Sequence, residues 1–194
     1  MRAFWDVLYN FHWVERNELA RSAQAYLGFL GPFLRRHRIR SLINLRGPNP
    51  HFWWWRYEKR VCQRLSVAHV DIPLNSRNLP TRQMLLNILE AVDRAERPTL
   101  IKCSGGQDRT SFAVAIYLVH RHGWERIDTA LDQFRSWPYL HLPKQQQRWL
   151  KMFLKYAKEH SAGVPLKAWL EHDYSPEGLK AWLIGVGMPD SFRN

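Results

Sequence analysis

Cys103-Ser104-Gly105-Gly106-Gln107-Asp108-Arg109-Thr110 sets a cysteine and an arginine on one glycine-rich turn, with five residues between them. It follows the apolar run Thr99-Leu100-Ile101 and opens an apolar helix from Phe112 to Val119. A turn of this kind between strand and helix points successive N–H groups inward, and the helix N-terminus adds partial positive charge. Arg109 brings a planar fork that grips two oxygens of one anion. Cys103, at the floor, is a nucleophile as its thiolate. The pattern predicts a cradle for a tetrahedral oxyanion, with a sulfur placed to attack phosphorus. Ser104, Gly105, Gly106, Gln107, Asp108 and Arg109 are the expected phosphate-binding residues.

The elements that must hold this turn are legible around it. Short β-type runs at Ser41 to Leu45, Val67 to Ile72 and Thr99 to Lys102 alternate with helical patterns. The helical stretches are Phe52 to Leu65 and Thr81 to Ala95, the latter with Leu85, Ile88, Leu89 and Val92 on one face. Such alternation predicts an α/β fold, a mainly parallel central sheet flanked by helices. Ligands in these sheets bind at the carboxyl ends of strands, where the octapeptide falls. The helix after it is apolar nearly all round and is expected to be buried. His120, Arg121 and His122 complement its C-terminal dipole, and Gly123 stops it.

Beyond Gly123 the pattern is helical: Glu125 to Arg135, then Pro143 to about His160. Gly163-Val164-Pro165 marks a break, followed by Leu166-Lys167-Ala168-Trp169-Leu170 and Leu179-Lys180-Ala181-Trp182-Leu183. Ser175-Pro176-Glu177 reads as a cap with proline at the first helical position. The expected organisation is therefore a domain over 1–160 with extra C-terminal helices, 161–194, packed on it.

A net charge of +12 over 194 residues implies an anionic partner without saying which. The N-terminal residues do not read as a signal peptide, and no stretch is apolar enough to cross a bilayer. Cys62 and Cys103 are the two cysteines, on different predicted elements, which is no disulfide framework. Cys62 reads as a small core residue, and a reactive Cys103 implies a reducing, cytoplasmic compartment. Ten tryptophans are a heavy load. Phe52-Trp53-Trp54-Trp55-Arg56-Tyr57, beside Lys59 and Arg60, fits either a helix packed on both sides or a peripheral membrane contact.

With these residues in view, the chain resembles the cysteine-dependent phosphatase superfamily, and within it the dual-specificity branch, particularly small bacterial members. Arg21-Ser22-Ala23-Gln24, Ser41-Leu42-Ile43-Asn44-Leu45-Arg46-Gly47 and Ile72-Pro73-Leu74 carry the likeness together with the octapeptide, over residues 12 to 160. A low-molecular-weight phosphatase would carry its motif near the N-terminus. The resemblance implies that Cys103 forms a phosphocysteine and Arg109 binds the phosphate. It also implies that the Thr110 hydroxyl eases thiolate departure. No metal or cofactor is expected.

Two departures stand out. The histidine usual before the nucleophile is replaced by Lys102. The loop after Ile72-Pro73-Leu74, where such enzymes carry an aspartate as general acid, reads Asn75-Ser76-Arg77-Asn78-Leu79 and has no carboxylate. Asp108 is the favoured substitute, because myotubularins similarly read Cys-x-x-Gly-x-Asp-Arg-Thr. Asp71 is the alternative general acid, although strand alternation can point it away. Arg46, Arg77, Arg82 and Lys102 are candidates for the pocket rim. The expected activity is a phosphomonoester hydrolase acting on phosphoprotein, phosphoinositide or another small phosphate ester. The alternatives are an RNA 5′-phosphatase and a non-catalytic phosphate-binding pseudophosphatase. No recognisable RNA-binding module supports nucleic acid.

Overall fold

The computed structural model describes residues 4–26 and 28–190. Strands β1 (His12–Glu15), β2 (Leu19–Ser22), β3 (Ser41–Asn44), β4 (Ala68–Asp71) and β5 (Thr99–Lys102) form one sheet in the order β1-β2-β5-β3-β4. Only the β1–β2 pair is antiparallel; β2, β5, β3 and β4 run parallel. β5, the last strand in the chain, is thus central and fully buried, and its carboxyl end delivers the octapeptide. Helices α1 (Phe4–Leu8), α2 (Leu30–Arg36), α3 (Trp53–Arg64), α4 (Arg82–Arg94), α5 (Asp108–His122) and α6 (Ile127–Leu131) follow in chain order. They are succeeded by α7 (Trp149–His160), α8 (Leu166–His172) and α9 (Pro176–Gly185).

Period-2 alternation divides the sheet residues between two cores. Leu42 and Leu100 pack with Phe33, Leu34 and Cys62 of α2 and α3. Ile43, Ile101 and Cys103 pack on the other side with α4, α5 and α7. The tail belongs to this second core, for Leu166, Trp169, Leu179 and Leu183 are buried in it. Each fully buried side chain of this size contributes about 1.5–3 kcal/mol relative to exposure.

Local chemistry sets the ends. Thr81 Oγ1 accepts from the Met84 amide at 3.2 Å and starts α4. Ser175 Oγ accepts from the Gly178 amide at 3.0 Å, with Pro176 at the first helical position. Gly123, at φ 80°, closes α5 by donating to the Val119 carbonyl at 2.8 Å.

The expected helix over Glu125 to Arg135 is instead a 3-10 turn (Trp124–Arg126), α6 and a second 3-10 turn (Asp132–Phe134). The buried Arg21 draws in both the carbonyl and the side chain of Gln133, at 3.3 and 2.8 Å, and the helix breaks up there. The stretch from Pro143 becomes helical only at Trp149, after a 3-10 turn over Gln145–Gln147. There the Gln147 side chain accepts from the Lys144 amide and reaches two groups outside the helix.

Candidate active site

The octapeptide forms the floor of a cleft of about 700 Å³. The carbonyls of Ser104, Gly105, Gly106 and Gln107 are each held by a hydrogen bond. Ser104 O accepts from the Gln24 amide at 3.0 Å. Asn10 Nδ2 donates to Gly105 O and Gly106 O, each at 3.3 Å. Arg21 Nη2 donates to Gly106 O at 2.8 Å, and Gln107 O takes the Ser111 amide at 2.7 Å. In planar trans peptides the N–H points opposite to the C=O. The amides of the turn therefore face the cleft, and the first amides of α5 add their unsatisfied donors.

Gly106 is the residue that makes this close packing feasible. Its φ is 63°, and a Cβ there would lie 2.6 Å from Ser22 C and Ala23 N. Gly105 is under no comparable constraint: a Cβ there would meet only the Gln107 side chain, at 3.4 Å.

Cys103 and Arg109 both line the cleft. Arg109 Nη2 donates to Ser104 Oγ at 3.0 Å, which bends the guanidinium back over the loop that follows Cys103. Thr110 lies beneath with its Oγ1 buried and without a hydrogen bond among the described residues. Among the described lining residues Asp108 is the one carboxylate. Its Oδ2 accepts from Gln147 Nε2 at 2.9 Å, and its Oδ1 lies 3.3 Å from His141 Nδ1. Gln147 also donates to Ser76 Oγ at 3.1 Å, and Trp149 Nε1 to Ser76 O at 3.0 Å. The carboxylate-free loop is thereby pinned as the opposite wall, with Arg77 exposed on it.

Beneath the turn, Arg21 has no exposure. It donates to Gly106, Ser111 and Gln133 and stacks over the Tyr139 ring at 4.2 Å. Burial pulls its guanidinium down to about 10, against the opposing pull of Tyr139 and Cys103, so it stays charged at neutral pH.

A family model described as PTP-SAK, Swiss Army Knife protein, DSP-PTPase phosphatase domain, matches residues 9–163. The chain belongs to this family. It is a cysteine-based phosphatase domain, and its fold agrees with solved phosphatases. TpbA of P. aeruginosa superposes with a TM-score of 0.63 at 18% identity, covering 85% of this chain and 92% of that one. The core catalytic domain of the PP-IP phosphatase SIW14 from S. cerevisiae gives 0.58 at 20% identity, covering 81% and 96%. PTPMT1 gives 0.55 at 15% identity, covering 78% and 98%. Identities of this size carry the fold alone. No curated protein sequence matches the chain.

Within this DSP-PTPase domain, three expected site residues are placed elsewhere. Lys102 does not rim the pocket. It shares the face of Leu100, so its Nζ runs under the sheet to Glu58 Oε1 at 2.7 Å and Gln24 Oε1 at 2.6 Å. Asp71 faces α3 for the same reason, accepting from Trp55 Nε1 at 3.0 Å and Asn44 Nδ2 at 2.6 Å, outside the cleft. Arg82 caps α8, donating to the carbonyls of Tyr174 and Glu171 at 2.6 and 3.0 Å. Arg46 and Arg77 do line the cleft.

Asn10, Gln133, His141 and Gln147 escaped the sequence reading altogether. Each acts across a long sequence separation, and none lies in a local motif. Arg21 sat in a segment that carries the family resemblance, but nothing local told of its role. Cys62 is buried in the α2–α3 core, where burial pushes its thiol up to about 12, and it is remote from this chemistry.

Proposed function

We propose that the protein hydrolyses phosphate monoesters through a phosphocysteine, with residues 1–160 carrying the activity and 161–194 packed on them. The Cys103 thiolate attacks phosphorus; the S–P bond forms as the bond to the ester oxygen breaks. Asp108 gives its proton to the departing oxygen. Arg109 and the inward amides hold the charge that builds on the equatorial oxygens. Water then attacks the phosphocysteine and returns a proton to Asp108. The S–P bond breaks, and the Thr110 hydroxyl donates to the leaving sulfur.

The observation that carries this reading is the composition of the cleft: one sulfur, one forked cation on the cradle, hydrogen-bonded carbonyls, and a single carboxylate at Asp108. A retained carboxyl acid favours a turning-over enzyme over a binder. Solved neighbours are TpbA in complex with pTyr and PTPMT1 in complex with PI(5)P, which supports an anionic phosphate ester as substrate. A reactive thiol calls for a reducing, cytoplasmic setting. Peripheral contact with an anionic membrane belongs to the same reading, supported by the exposed Phe52 and Trp53 beside Arg56, Lys59 and Arg60.

Hydrolysis of an aryl phosphate tests the core of it. Cys103→Ser abolishes turnover, and a quenched reaction of the wild type shows the phosphoryl adduct on Cys103 by mass spectrometry. Asp108→Asn lowers kcat about 100-fold or more with an alkyl leaving group, which needs protonation, and much less with a nitrophenolate. Equal losses with both leaving groups would remove Asp108 from the acid role. Phosphate binding without turnover at any pH would establish the binder instead.

A further inference from the structure

The cleft holds more positive charge than one phosphate monoester needs. Besides Arg109, Arg46 and Arg77 face it, and among the described residues neither has a carboxylate partner. Arg46 is also held in place. Its guanidinium lies 3.5 Å from the centroid of the Trp54 ring, and Nη1 donates to Tyr26 Oη at 3.3 Å and Gln24 Oε1 at 3.5 Å. Stacking and neutral acceptors fix its direction while leaving its charge uncompensated.

The buried acid Glu58, which shares Gln24 with Arg46, is occupied by Lys102, His69 and Gln24. Arg46 even disfavours the charge on Lys102, which burial lowers first and Glu58 restores in part. A half-buried cation kept beside another cation, with no acid of its own, costs free energy that an incoming anion would recover. Arg77 is different in kind. Its amide donates to Asn75 Oδ1 at 3.0 Å on the pinned loop, while its side chain is exposed and lines the cleft.

We propose that Arg46 and Arg77 form a second oxyanion subsite, so that the preferred substrate is a small polyanion carrying another phosphate beside the one Cys103 attacks. This rests on the phosphocysteine reading above. The second phosphate belongs either to a soluble polyol phosphate or to a lipid headgroup, whose phosphodiester supplies it.

Three probes decide it: an inositol monophosphate, the corresponding inositol bisphosphate, and phosphatidylcholine vesicles carrying the phosphatidylinositol monophosphate with the same headgroup. In the wild type, kcat/KM for a two-phosphate probe exceeds that for the monophosphate by at least tenfold, about 1.4 kcal/mol. Arg46→Gln and Arg77→Gln each shrink that ratio about tenfold, the worth of one charged hydrogen bond. Arg77→Gln touches no packed group, so its result does not depend on folding. Activity on vesicles alone assigns the second phosphate to a lipid, and activity on the soluble bisphosphate assigns it to a free ester. A wild-type ratio near one, or equal losses on mono- and bisphosphate, overturns the subsite. Aryl phosphate turnover abolished by Cys103→Ser keeps the underlying reading intact in that event.

Discussion

Arg21 and Arg109 are two guanidiniums on opposite sides of one loop, and their surroundings give them opposite tasks. Arg109 keeps its fork at the cleft, with Ser104 Oγ as its one hydrogen-bond partner among the described residues. Arg21 is sealed under the loop, where its donors satisfy Gly106 O, Ser111 Oγ and Gln133. An ammonium cannot reproduce that planar fork or its stack on Tyr139. Arg21→Lys therefore lets the Gly106 carbonyl relax and the amide cradle lose its aim. We expect kcat for an aryl phosphate to fall about 100-fold, as small misplacements of reacting groups do. The measurement is made well below the melting temperature of the variant. A folded variant with unchanged kcat would show that Asn10 and the Gln24 amide suffice to hold the turn. His141 and Gln147 likewise hold the Asp108 carboxylate by two contacts that only the folded chain brings together.

At the scale of elements, β3, β4, β5, α3, α4 and α5 were legible because their apolar residues recur at the spacing that burial on the sheet demands. The hairpin of β1 and β2 was not. Leu19, Ala20, Arg21 and Ser22 are all buried, so β2 shows no alternation: Arg21 reaches Gly106 of the loop, and the Ser22 hydroxyl donates to Ala23 O. The same physics hid the ion pair under the sheet. Glu58 sits on α3, a helix whose surface residues are mostly charged, and only the strand order brings Lys102 to it. Burial pushes the Glu58 carboxyl up, but His69 and Lys102 outweigh it, and the net shift is downward. A depressed carboxyl stabilises the fold above its ordinary range, and that contribution is lost as pH falls through the folded value. Glu58→Gln strands Lys102 and should cost about 3 kcal/mol or more, a Tm drop of about 10 °C at neutral pH. The gap between wild type and variant narrows on acidification below about pH 4. Melting curves that stay equally far apart from pH 7 down to about pH 3 would contradict the assigned sign.

Over the whole molecule, the charge of +12 is spread on a surface that also exposes Phe52 and Trp53, at 55% and 54%. These two rings open α3, where Lys59 lies 4.7 Å over the neighbouring Trp55 ring. Trp53 contacts Tyr26, whose hydroxyl accepts from Arg46 at the cleft, so the apolar pair lies two contacts from the proposed phosphate subsite. No helix among the described residues is long and apolar enough to cross a membrane. Exposed rings beside basic residues suit contact at the membrane–water interface. Each basic residue near an anionic leaflet contributes about 1 kcal/mol, and each ring inserted adds about 1.5 kcal/mol or more. We therefore expect sedimentation with phosphatidylserine-containing vesicles and little with phosphatidylcholine alone. Binding should weaken as salt rises from about 0.1 M to about 1 M, where the screening length falls to about 3 Å. Phe52→Ser with Trp53→Ser should reduce vesicle affinity about 100-fold while the charge stays the same. If the double variant binds as tightly as the wild type, the attraction is charge alone, and the aromatic pair has no part in bringing the cleft to a surface.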